Sequence, residues 1–186
     1  MVLEKIFIGL DPSFSGFGVY FSNDTNFCVE THKKYFNDEY NIEERISFIL
    51  KRLFDSIKEL NIENKDIIVG IEGYSFGSHS SSLSMLHELV GNIKVQLFLK
   101  GIKFYVIPPN SWKKFLFDNK FSAKHNKDNI IFKTYKKYGI EIMDNNICDA
   151  FNIMKFAQAV YKYENGDLID FKEDEKKVLE KFFSKK

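Results

Sequence analysis

A layered α/β fold, with a mixed sheet covered by helices on both faces, is what this sequence predicts, and three observations predict it. Apolar strand-like runs at residues 5–10, 67–71 and 103–107 alternate with stretches of helical periodicity. Two further extended runs follow the first strand closely enough to form an antiparallel meander with it. The length, 186 residues with 44% hydrophobic side chains, suits one domain with a full core.

Each element has its own signal. Residues 5–10 are an apolar strand, 11–18 a turn rich in Gly and Ser, and 19–22 and 26–31 the second and third strands. Residues 43–60 place Ile46, Ile49, Leu50, Leu53, Phe54, Ile57 and Leu60 on one helical face. A short buried strand at 67–71 ends at Glu72, residues 83–99 are helical in period, and a strand at 103–107 stops at Pro108 and Pro109. Helices are expected at 127–138 and 147–163, and the charged segment 164–186 reads as a terminal helix or tail beyond a domain of residues 1–163.

Composition removes several function classes. With 27 basic and 26 acidic residues the formal charge is +1, so bulk charge cannot hold a polyanion. Cys28 and Cys148 have no partner motif, which argues against a disulfide framework or zinc ribbon and fits a reducing cytoplasm. No apolar run approaches the roughly 18 residues of a membrane span, and Glu4 and Asp11 interrupt any signal-peptide core. The charge is nevertheless segregated: residues 1–93 carry 8 basic against 14 acidic side chains, while 94–137 carry 11 lysines against Asp118 and Asp128. An acidic site beside a phosphate-facing surface explains that division, with a solvated helix face as the plainer explanation of the lysines.

Ligands of open α/β sheets gather at the carboxyl ends of strands. Asp11 closes the first strand in IFIGLDPSFSGFG, Glu72 closes IIVGIEG, and Asp149 stands near the start of a core helix in DNNICDAFNIM, with Asn146 one turn before it and Asp144 just outside. Each acid alone could be a turn residue or helix cap. Together they would repel one another unless a cation sat between them, and oxygen ligands select a hard ion, Mg2+ or Mn2+. Such a cluster hydrolyses phosphodiesters.

Five strings in order, IFIGLDPSFSGFGVY, VGIEGYSFGS, VIPPNSWKKF, AKHNKDNI and DNNICDAFNI, resemble the landmarks of the RuvC-type Holliday junction resolvases in their phage-type branch, over roughly residues 4–160. The resemblance implies a ribonuclease H-like fold, a homodimer, divalent-metal dependence and paired nicks in opposing strands of a four-way DNA junction. It implies that Asp11, Glu72 and Asp149 are metal ligands and that Lys127 lies near the scissile phosphate, with Lys124 the other lysine that fits the motif. Asn146 stands where the family has a fourth acid or histidine; its amide oxygen can coordinate but brings no charge, and Asp144 is the substitute.

Most of the 11 lysines exceed what one active site can use, so Lys113, Lys114 and Lys136 are expected to position DNA phosphates. Tyr74 and Phe76 flank a Gly/Ser-rich stretch, where a ring can either pack in the core or stack on an unpaired base at the junction centre. His125, between the two candidate lysines, reads as a surface histidine before a proton donor, and His79 and His87 lack the further ligands a zinc site needs. The helix at 83–99 offers Leu86, Leu89, Val90, Ile93 and Leu97 as a homodimer face, against burial within one subunit. Three alternatives compete. They are an actin-like nucleotide binder, for which one domain is too few, another ribonuclease H-like nuclease acting on hybrids or in repair, and a non-enzymatic branched-DNA binder, which leaves the acids unexplained.

Overall fold

Parallel strands flanked by an antiparallel meander produce a five-stranded sheet whose acidic edge is set by register. A computed structural model of the chain describes residues 5–31, 41–73, 81–122 and 126–184. Its strands are β1 (Ile6–Asp11), β2 (Phe17–Phe21), β3 (Asn26–Val29), β4 (Ile67–Glu72) and β5 (Lys103–Ile107), in the order β3-β2-β1-β4-β5. β1 pairs antiparallel with β2 and parallel with β4, and β4 pairs parallel with β5. The mixed α/β architecture is the one the sequence predicts.

The helices are α1 (Ile42–Glu59), α2 (Ser81–Leu99), α3 (Pro109–Leu116), α4 (Lys127–Tyr138), α5 (Asn145–Glu164) and α6 (Glu173–Phe183). None among the described residues is long and apolar enough to cross a membrane. α1 and α2 cover one sheet face, burying Ile49, Leu53, Leu89, Ile93 and Leu97 against Ile8, Leu10, Val69 and Ile71. α5 lies on the other face, backed by α3, α4 and α6 through Trp112, Ile130, Phe156, Val178 and Leu179.

Two elements differ from the sequence-based expectation. The proline pair stops β5, as expected, but Pro109 also opens α3 at its first helical position, where the missing N–H is no loss and the fixed φ suits a helix. The candidate dimer face of α2 is core: Leu89, Val90, Ile93 and Leu97 are all essentially inaccessible, and Leu86 packs against them. A sheet face this apolar has to be covered from within the subunit, and α2 covers it.

The approach of α5 to the sheet is unusually close because glycines clear its path. A Cβ on Gly9 of β1 would collide with the Ala150 carbonyl oxygen and stand 2.6 Å from the Met154 nitrogen. On Gly18 of β2 it would strike the Asn146 carbonyl oxygen, and on Gly70 of β4 it would lie 2.9 Å from Ala157 Cβ. Gly9 and Gly70 are register partners, so the trough crosses the sheet between adjacent parallel strands. Protein interiors offer no slack to absorb such collisions. Gly9→Ala is therefore expected to destabilise the fold by about 3 kcal/mol or more. Gly91→Ala in α2, where a Cβ meets open space, should instead stabilise by about 0.5 to 1 kcal/mol. Urea unfolding midpoints of the two variants check the contrast; equal midpoints would remove the trough as a constraint.

Candidate active site

Strand parity decides which way the two strand-end carboxylates point. Side chains alternate across a strand, and Leu10 and Ile71 are register partners facing α1 and α2. Asp11 and Glu72, one residue further on, therefore face α5, on the same side as Gly9 and Gly70 two residues before them. Asp149 belongs to the turn of α5 that the trough admits, next to Ala150. The three acids predicted from sequence thus share one corner, at the carboxyl ends of β1 and β4.

Their electrostatics report the crowding. Burial pushes the Asp11 carboxyl well above its ordinary range, and the neighbouring charges of Glu72 and Asp149 push it further. Glu72 is raised by burial as well, against a hydrogen bond from Trp112, the charge of Lys113 and a hydrogen bond shared with Asp11. Asp149 is pushed up to about 6 by burial and then by Glu72, with Lys113 and Lys127 opposing. Two of these acids are thus in mutual hydrogen-bond contact and the third is within electrostatic reach. Among the described residues no group of three His, Cys, Asp or Glu side chains is placed to hold a metal ion. The donor set still fits a hard divalent cation, because it is all oxygen and its excess negative charge is only partly offset.

The surrounding residues fix this arrangement. Trp112, fully buried in α3, donates from Nε1 to Glu72 Oε1 at 2.8 Å. Lys113 follows it, with Nζ 5.0 Å from the Trp112 ring centroid, and its charge acts on all three acids. Sequence reasoning assigned Lys113 only to DNA phosphates. The signal it passed over was the helix that Pro109 starts beside the Glu72 strand end. Lys114 is the next residue of α3, half-buried and in no ion pair among the described residues.

α4 brings Lys127 to the corner as its first residue, and a capping box sets that start: Asn126 accepts from Asn129 N at 3.0 Å while Asn129 Oδ1 accepts from Asn126 N at 2.9 Å. The helix is held on α5 by a buried polar contact. Asn152 donates to Thr134 Oγ1 at 2.7 Å and to the Cys148 carbonyl at 2.8 Å, and Thr134 donates to the Ile130 carbonyl at 2.8 Å. Asn152 Oδ1 has no partner among the described residues, a cost that an apolar pair would avoid. Such contacts between helices fix register.

Asp144 and Asn146 take different places. Asp144 is the N-cap of α5, its Oδ1 accepting from Ile147 N at 2.9 Å. Asn146 turns its amide nitrogen to Cys28 Sγ at 3.8 Å and packs against Gly16 and Gly18. Both cysteines are free, Cys148 buried and Cys28 half-buried. Tyr74, Phe76, His79, Lys124 and His125 lie outside the described residues.

No family model matches the sequence, and no curated protein matches it. Solved structures do. The chain is similar to RuvC of Thermus thermophilus in complex with a Holliday junction substrate, with a TM-score of 0.63 at 17% identity over 88% of this chain and 98% of that one. The chain has a RuvC-like fold. A second structure of RuvC from Thermus thermophilus gives the same TM-score at 18% identity, over 87% of this chain and 97% of that chain. The fold is thus the ribonuclease H-like one, and at this identity the likeness does not separate the phage-type branch from any other.

The raised carboxyls carry a stability consequence. A carboxyl whose pKa is higher folded than unfolded favours folding at low pH, and that contribution disappears as pH rises through the folded value. For Asp149, rising from 3.8 to about 6, the window lies between those values, and at about 1.4 kcal/mol per unit the loss is on the order of 2 to 3 kcal/mol. Asp149→Asn should therefore be more stable than wild type at pH 8 by about that amount and indistinguishable from it near pH 4. Urea titrations at pH 4, 6 and 8 measure the difference; a variant no more stable at pH 8 contradicts the assigned crowding.

Proposed function

We propose that the chain is a metal-dependent endodeoxyribonuclease that resolves four-way DNA junctions by paired, symmetric nicks. The observation that carries this reading is the meeting of Asp11, Glu72 and Asp149, from two parallel strand ends and one helix, with Lys113 and Lys127 acting on the same corner. The RuvC likeness adds that a chain of this fold is seen with a Holliday junction. In this reading residues 1–163 are the nuclease domain and 164–186 its charged C-terminal helix or tail, of which α6 packs on α3 and α5. The protein works in the cytoplasm, without a nucleotide cofactor.

Asp11, Glu72 and Asp149 would hold Mg2+, with Mn2+ as substitute, as charged ligands, and Asn146 Oδ1 would be the neutral fourth donor, since the Asp144 carboxylate is occupied in capping α5. An ion held there would supply an activated water and stabilise the leaving oxygen. Trp112 holds Glu72 in one orientation. Lys113 and Lys127 offset the negative charge that grows on the phosphate oxygens as the bond breaks. Lys114 and, outside the described residues, Lys124 guide the backbone, and Tyr74 and Phe76 stack at the junction centre.

Single-turnover assays on a four-way junction, a splayed duplex and an RNA:DNA hybrid with Mg2+ test the reading. Paired nicks in the junction are expected. Cleavage of the hybrid alone would make the chain another nuclease of this fold. Asp11→Asn, Glu72→Gln and Asp149→Asn should each lower cleavage by more than about a hundredfold and leave junction affinity nearly intact, and Lys127→Ala and Lys113→Ala should lower rate more than affinity. Mg2+ should raise the wild-type unfolding midpoint at pH 8 and leave that of Asp11→Asn nearly unmoved.

Two nicks related by the junction's two-fold axis require two sites related by the same axis, so the active species is a homodimer. Its interface is the outward face of α2, where Val95, Phe98 and Leu99 are 55%, 76% and 70% exposed. Sedimentation equilibrium should show a dimer that Phe98→Asp dissociates without unfolding. A wild type that stays monomeric with and without junction DNA would remove the dimer.

A further inference from the structure

α4 buries Ile130 and Thr134 toward α5, which turns Phe132 and Tyr135 to solvent. An amphipathic surface helix ordinarily carries polar residues there. Here Phe132 is 66% exposed and Tyr135 55%, and Met143, on the segment returning from α4 to α5, is 75% exposed. With Ile131, Asp128 and Glu141 they line a cleft of about 440 Å³. Clustered exposed rings of this kind mark a binding surface.

The lysines of α4 divide between two directions. Lys133 reaches Asp118 at 2.9 Å and Lys137 reaches Glu175 at 2.7 Å, so both charges are neutralised against α3 and α6. Lys127 and Lys136 are exposed and in no ion pair among the described residues, one on each side of the two rings along the helix. Lys127 also belongs to the carboxylate corner, so the surface begins where the scissile phosphate would lie. Asp128 and Glu141 repel phosphates from the cleft itself but can accept hydrogen bonds from the exocyclic amino groups of bases.

We propose that the outer face of α4 is a stacking platform for unpaired bases of the DNA strand leading to the active site. The sugar-phosphate backbone follows Lys127 and Lys136, and the bases turn onto Phe132 and Tyr135. The inference rests on the proposed DNA-nuclease function and adds to it a substrate feature, unpaired nucleotides next to the cut. Rings interleaved with cations hold single strands in this way.

The test measures binding without cleavage, in full-length Asp11→Asn protein, to a single strand of about 12 nucleotides and to an abasic strand of the same length and charge. The base-bearing strand is expected to bind about fivefold or more tighter. Phe132→Ala and Tyr135→Ala should each remove most of that preference and leave abasic affinity and the urea midpoint unchanged, since both rings are exposed. Lys136→Ala should weaken both strands alike. Equal affinity for the two strands, or a preference that survives both ring substitutions, overturns the platform and leaves the face to a protein partner. Because the readout is binding, failure to cut a junction would overturn the proposed function alone, while the platform on α4 stands or falls with the two strand affinities.

Discussion

The distance between α5 and the sheet is the constraint on which the rest of the structure depends. Helices ordinarily pack on sheets through interdigitating side chains, and here the sheet side of that contact is missing at Gly9, Gly18 and Gly70. The helix backbone drops into the gap. Since Asp11 and Glu72 lie two residues beyond Gly9 and Gly70, the same register that lowers α5 places Asp149 over their carboxylates. Acidic clustering that would otherwise weaken the fold is held by backbone packing over the whole trough, including Ala150, Met154 and Ala157. The stabilising interactions are apolar and numerous, and the destabilising ones are few and ionic.

The second level of organisation is the sorting of charge. The lysine-rich segment of residues 94–137 does not present one basic face. Lys103 is paired with Glu164 at 2.6 Å, and Lys133 and Lys137 are drawn to Asp118 and Glu175. Those pairs tie α4 and α6 to the α3 exit and β5 to the end of α5. Lys113 and Lys127 remain for the acidic corner, where each lowers the carboxyl values that burial raises. The Lys103 and Lys133 pairs are partly exposed and contribute little stability, whereas Lys137 and Glu175 meet in a buried setting; together the pairs decide which cations stay free to meet an anion.

Much of this was legible in the sequence. The strand order of apolar runs and the helical period of α1 and α5 come from local patterning, which the packed fold respects. Asp11 and Glu72 were readable because strand ends are where turns expose polar residues, and Asp149 because it follows Asn146 at a helical spacing. What local pattern could not carry was partnership. The apolar stripe of α2 has the same spacing whether it meets its own sheet or a second chain, and only the uncovered sheet face in three dimensions assigns it to the core. Trp112 and Lys113 look like an ordinary amphipathic fragment until β5 is seen beside β4. Asn152 and Thr134 lie far apart in sequence in different helices, and nothing in either helix alone announces a hydrogen bond between them.

The bond from Trp112 to Glu72 has a further consequence. Trp112 is the single tryptophan of the chain, so all of its indole emission originates one hydrogen bond from the acidic corner. A buried indole responds to the charge and occupancy of the group it touches. Proton loss from Glu72, capture of an ion, or arrival of a phosphate would each alter the light from the same ring, while changes at the remote α2 surface would leave it unmoved. The fold has in effect wired an optical readout to its own reaction centre, and the order in which metal and DNA arrive can be followed in the unlabelled protein.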